Sequence, residues 1–132
     1  MSLNTLTLSL TLTASLLLVS AHAAATKALP PASDKKGVTY DKDIKPIFDK
    51  NCFKCHGAEK QKGKLRLDTL AAVMKGGENG KSIIPGKSAD SSLVKAVARV
   101  VEDDAMPPAD KGKPLTAAEV GLIRAWIDQG AK

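Results

Sequence analysis

Cys52-Phe53-Lys54-Cys55-His56 is the stretch on which the reading of this chain turns. Its two cysteines are the only ones among 132 residues, and a histidine directly follows the second. C-x-x-C-H is the pattern of covalent c-type haem attachment. Two thiols one helical turn apart can each add to a vinyl group of the porphyrin, and the adjoining imidazole then lies beneath the ring, within reach of the iron. Three other uses compete. A redox dithiol needs a βαβ setting, and no strand pattern flanks the motif. A structural zinc needs four ligands, and the only other His or Cys is His22, in a segment read below as a removed leader. A plain disulfide leaves His56 without a role.

Upstream of the motif, Tyr40 to Asn51 is a helix candidate, with Ile44, Ile47 and Phe48 on one face and Cys52 continuing it. Asp41 and Asp43 suit a first turn. Pro46 is tolerated only near a helix start, so the regular part is expected from Asp43. Downstream, Gly57 to Arg66 is irregular and Lys-rich. Asp68 is the expected cap of a short helix carrying Leu70, Val73 and Met74, closed by Gly76 and Gly77. Ser88 or Asp90 opens a third helix with Leu93, Val94, Val97, Val100 and Val101 on its apolar face. After the Pro-rich loop from Met106 to Pro114 comes the best-bounded helix. Thr116 with Glu119 forms a capping box, Val120, Ile123, Trp126 and Ile127 form the stripe, and Gly130 ends it. The expected architecture is all-α: about four helices and long loops wrapped around one covalent haem, with the last helix packed on the first.

The N-terminal stretch from Leu6 to Val19 carries no charge and leads to Ala21-His22-Ala23, a small-x-small cleavage pattern. Residues 1–23 are therefore expected to be a cleaved signal peptide and the protein to be exported to the periplasm. No Lys or Arg precedes the apolar run. The alternative, an uncleaved anchor over Leu3 to Ala25, is long enough to span but poor in hydrophobicity because of its Thr and Ser. Residues 24–37, rich in Ala, Pro and Lys, read as a flexible linker, leaving 38–132 as the folded domain. The formal net charge is +6. Nucleic acid is an unfavoured partner, because no helix gathers the Lys and Arg on one face and no aromatic stacking set accompanies them. Tyr40, Phe48, Phe53 and Trp126 are the only large aromatics, so a cofactor with an apolar body would help so small a domain close.

Met106 is the candidate for the sixth iron position. It stands in Met106-Pro107-Pro108, where the following proline restricts its backbone, and His/Met ligation is one of the few haem arrangements. Met74 is the alternative, although its apolar spacing on a short helix suits a core residue. Lys54, Lys60, Lys62, Lys64 and Arg66 make a basic run with two readings, a docking face for an acidic redox partner or an ordinary solvated loop. Arg66, between Leu65 and Leu67, is a candidate to pair with a haem propionate. Glu102-Asp103-Asp104 receives no role.

Together these residues resemble class I cytochrome c. An aromatic stands four residues before the first cysteine, then come C-x-x-C-H, M-P-P, and a C-terminal helix carrying an aromatic. The resemblance is closer still to the planctomycete-type cytochrome c domain, through Cys52 to Gly57, Lys64 to Thr69, Gly76-Gly77-Glu78, Pro85-Gly86-Lys87, Met106-Pro107-Pro108 and Leu115 through Ala131. It implies one haem c on Cys52 and Cys55, with His56 and Met106 on the iron, and a one-electron carrier rather than an enzyme. Two departures stand out. Ile44 occupies the place where many members have a glycine at the helix crossing. No proline follows the haem motif to accept a hydrogen bond from the ligand histidine, so the partner orienting His56 is unassigned. Domains of this type are often fused to larger ones, and their absence here favours a free-standing carrier. The rival readings are a peroxidase or reductase subunit, disfavoured by the lack of a second C-x-x-C-H, and a haem-based sensor, which would need a labile sixth ligand.

Overall fold

The computed structural model describes residues 27–132, so the segment read as a signal peptide, residues 1–23, lies outside the described residues. Among them the protein is helical and has no strand. There are five α-helices rather than four: α1 (Lys45–Asn51), α2 (Phe53–His56), α3 (Leu70–Lys75), α4 (Ser92–Val97) and α5 (Ala117–Asp128). The extra one arises because the first helix breaks at Cys52, whose φ of −126° leaves the helical region.

The start of that helix also differs from expectation. Tyr40–Ile44 forms one π-helical turn, in which the Lys45 N–H reaches back to the Tyr40 carbonyl. The α-helical part begins at Lys45, with Pro46 in its first turn. Proline has no N–H to give to a preceding turn, so the regular ladder starts only where that lack costs nothing. Asp43 acts here as an N-terminal acceptor instead: the Thr39 N–H donates to its Oδ2 at 2.9 Å, and Lys35 pairs with its carboxylate.

α3 is capped by Thr69, whose Oγ1 accepts from the Ala72 N–H at 3.2 Å; Asp68 is engaged by Arg66 instead. α4 is entered through a 3-10 turn at Ser88–Asp90. It is shorter than its apolar pattern suggests, because Arg99 turns into the left-handed region at φ 56°. Val100 is consequently half-buried and Val101 is exposed. α5 carries the expected capping box between Thr116 and Glu119, and Gly130 at φ 102° reverses the chain after it.

The core forms where α1 and its π-turn cross α5. Tyr40, Phe48 and Trp126 are fully buried and mutually packed, with centroids 5.9–6.5 Å apart. Phe48 meets Trp126 edge-on at 83°, an arrangement worth about 0.5–1.5 kcal/mol beyond area burial. Ile44, in the place where a glycine was noted as usual, is completely buried in the same cluster.

The segment read as a flexible linker is docked on this core. Leu29 packs against it, the Ser33 N–H donates to the Gly121 carbonyl at 2.9 Å, and Arg124 donates to the Pro30 carbonyl. Gly121 permits the approach: a Cβ there would lie 2.7 Å from the Pro31 carbonyl oxygen. Ala, Pro and Lys gave no periodicity to read, because the strap binds through its own backbone rather than through an apolar face.

Candidate functional site

The cysteine-histidine motif folds as two linked turns. The Cys52 N–H closes α1 on the Phe48 carbonyl, and the Cys55 and His56 N–H groups both return to the Cys52 carbonyl, at 3.0 and 2.8 Å. Phe48 in the core thus fixes the position of the motif. Cys52 is half-buried against the hydrophobic cluster, and Cys55 and His56 are half-buried. The thiols are not joined. Burial, with a smaller push from Cys55, raises the Cys52 thiol to about 12.

His56 is oriented by backbone. Its Nδ1 lies 3.2 Å from the Leu65 carbonyl oxygen. A carbonyl only accepts, so Nδ1 is the donor, which leaves Nε2 of the neutral ring as the nitrogen that could ligate a metal. The Leu67 N–H donates to the His56 carbonyl at 2.8 Å, and the buried Tyr40 hydroxyl donates to the Leu67 carbonyl at 2.6 Å. Leu65 was missed in the sequence because its role belongs to a carbonyl, which any residue supplies; the missing proline in this stretch was the sole hint that another acceptor was needed.

A glycine turn lies against Leu65. The Gly77 N–H donates to the Gly80 carbonyl, and the Glu78 N–H donates to the Gly63 carbonyl at 2.8 Å. A Cβ on Gly77 would meet the Gly63 carbonyl oxygen at 2.6 Å and the Leu65 side chain at 3.1 Å. Only a residue without a side chain lets the turn lie this close.

Against this wall opens a cavity of about 310 Å³, lined by Cys55, His56, Leu65, Ser82 and Met106 among others. Three of the four residues singled out in the sequence therefore share one cleft. Cys52 is not part of the lining and packs, half-buried, against the core. Met74 packs against the hydrophobic cluster and is not part of the lining. Lys62, Lys81 and Lys111 also line the cleft, with Glu78 as its acid. Arg66 does not. Its guanidinium makes a two-pronged contact with Asp68, at 2.9 and 2.7 Å, which replaces the propionate partner anticipated for it. That bond holds the Asp68 carboxyl below its ordinary range.

The lining suits a haem. It offers a thiol, an imidazole and a thioether, on walls that otherwise combine Leu65, Pro108 and three glycines with lysines, serines, Glu78 and Asn79. The Ser82 Oγ is buried with no hydrogen-bond partner among the described residues, and such an orphan is costly unless a further acceptor meets it. No group of three or more His, Cys, Asp and Glu that could hold a bare metal ion occurs among the described residues.

Residues 52–110 match the family model for planctomycete cytochrome C. No curated protein and no solved structure matches the chain. The matched segment runs from the first cysteine of the motif past Met106, so it contains every lining residue named above except Lys111. Over this segment the chain is similar to a cytochrome c-type domain, a likeness that suggests haem binding and electron transfer.

Proposed function

We propose that the domain holds one haem c on Cys52 and Cys55, with His56 and Met106 as axial iron ligands, and passes single electrons between exported redox proteins. The observation that carries the reading is the shared cleft: Cys55, His56 and Met106, far apart in sequence, line one cavity. When bound, the haem supplies reversible one-electron chemistry, and a Met/His pair raises its potential.

The chain's own residues have defined tasks. The Leu65 carbonyl holds the His56 proton and sets the ring's orientation. The Phe48–Trp126 crossing keeps the motif against the core and water away from its rear face. Lys62, Lys81 and Lys111 place positive charge at the cleft, where it can balance haem carboxylates. Lys54, Lys60, Lys62 and Lys64 are exposed and offer an acidic redox protein a surface whose attraction speeds encounter. No helix among the described residues is long and apolar enough to cross a membrane.

Met106 favours a carrier over a peroxidase or a sensor, since a thioether on the sixth position closes the iron to substrates. The test is an anaerobic redox titration with stopped-flow oxidation by an acidic redox protein. A carrier takes up one electron per chain reversibly, and its oxidation slows steeply as ionic strength rises. Sustained peroxide turnover by the protein alone would contradict the reading.

A further inference from the structure

Met106 is weakly held for a residue with its proposed task. It is 38% exposed, and a neutral thioether gains little from charge when it ligates. Its hold on a metal therefore depends on how well its loop is fixed beforehand. Two hydrogen bonds bracket it. The Met106 N–H donates to the Ala96 carbonyl of α4 at 3.0 Å. On the other side, Arg99 Nη1 donates to the Pro107 carbonyl at 3.0 Å.

Arg99 is an unusual residue for its place. It stands two residues beyond the end of α4 at φ 56°, a backbone conformation that favours glycine. Its side chain is only 16% exposed, and its one acidic neighbour, the exposed Glu102, is 3.7 Å away. A strained backbone and a mostly buried cation are both unfavourable. The direct hydrogen bond that offsets them goes to the carbonyl next to Met106.

We propose that Arg99 is a positioning residue for the sixth iron ligand: its guanidinium clamps the Met106–Pro107 segment to the end of α4 and so holds the thioether in the cleft. This rests on the reading of Met106 as that ligand. Arg99 also lies near the C-terminus of α4, where any cation is mildly favourable, so the test must separate a clamp from a helix-end charge.

Ferric holoprotein is titrated with imidazole, which competes for the sixth position, and followed by visible absorption. The variants are Arg99→Gly, Arg99→Lys and Met106→Ala, with each Arg99 substitution also combined with Met106→Ala. Glycine suits the left-handed backbone, so Arg99→Gly removes the side chain while relieving strain, and thermal unfolding monitors the fold. Because a competitor sees only molecules with the position open, Arg99→Gly is expected to bind imidazole about tenfold or more tightly than wild type. Arg99→Lys, a cation without the fork, falls between. In the Met106→Ala background, the glycine substitution changes affinity by less than about twofold, since no ligand is left to position.

Equal imidazole affinity of wild type and Met106→Ala would sink the ligand reading itself. A closed wild type with Arg99→Gly and Arg99→Lys both unchanged would overturn the clamp alone. An equal gain in both backgrounds would overturn it too, since the side chain would then be closing the cleft in general. Should Arg99→Gly not fold, the Arg99→Lys comparison decides: a gain confined to the Met106 background supports the clamp, and no gain overturns it.

Discussion

The two walls of the cleft are built differently. The histidine side is held by short-range backbone geometry on a packed core: α1 delivers Cys52 from Phe48, two turns close on the Cys52 carbonyl, Leu65 lies close against a glycine turn, and the Leu67 carbonyl accepts from Tyr40. The methionine side is a long excursion between α4 and α5, largely exposed and fastened by one backbone bond and one arginine. In the proposed carrier, a rigid side determines where the haem sits, while a lightly held side determines whether the iron is closed. Stability and ligation should therefore respond separately to substitution.

The largest effect tests that division directly. His56→Ala is expected to abolish stable haem attachment, read as haem retained on the chain after denaturation. Met106→Ala is expected to keep the attached haem and change only what the iron binds. Loss of haem in both variants would erase the distinction.

Next comes the glycine turn. Gly77→Ala forces a methyl group against the Gly63 carbonyl and Leu65 and is expected to cost about 1–3 kcal/mol in denaturant unfolding. It should also alter the His56 environment, seen as a shift of the imidazole Nδ1 proton in the NMR spectrum of the ferrous protein. An unaltered His56 signal would mean that Leu65 is not held by the turn.

The smallest effect is a pH limb. Tyr40 donates to Leu67 on the histidine side, and burial, with the nearby Asp68 and Asp41 adding to it, pushes its phenol up to about 12 from 10.0. The folded protein thus keeps this proton where the unfolded chain loses it. The resulting stability is complete below pH 10 and is lost as pH rises toward 12. Tyr40→Phe should remove that limb and cost about 1 kcal/mol at neutral pH, the worth of one hydrogen bond. An identical alkaline limb in wild type and variant, followed by urea unfolding across pH, would assign it to other groups.

What could be read in the sequence follows the same division. The histidine side was legible because side-chain identities carry it: C-x-x-C-H, the Phe48 and Trp126 stripes and the Thr116–Glu119 box all reappear in space. The break at Cys52 and the π-turn before Pro46 were not legible, since they are local compromises between a missing N–H and core packing. Leu65 escaped because its carbonyl is common to every residue. On the methionine side the sequence offered Met106 but not its fastening. Arg99 looked like one more charge, and the helix pattern running on to Val101 hid the left-handed turn that aims it. Arg66 was misjudged for a related reason: its partner, Asp68, lies two residues on and was taken for a helix cap. The docked strap left no pattern at all, because it is held by backbone groups and by a glycine on α5.

The central claim is that His56 and Met106 close a single covalently held haem between these two walls. The most direct measurement is the visible spectrum of the purified ferrous protein with and without carbon monoxide. A low-spin spectrum that the gas leaves unchanged in wild type and alters in Met106→Ala is the predicted result. Ready binding of the gas by wild type would contradict the account, since the sixth position would then be open and the carrier reading would give way to a catalytic or sensing one.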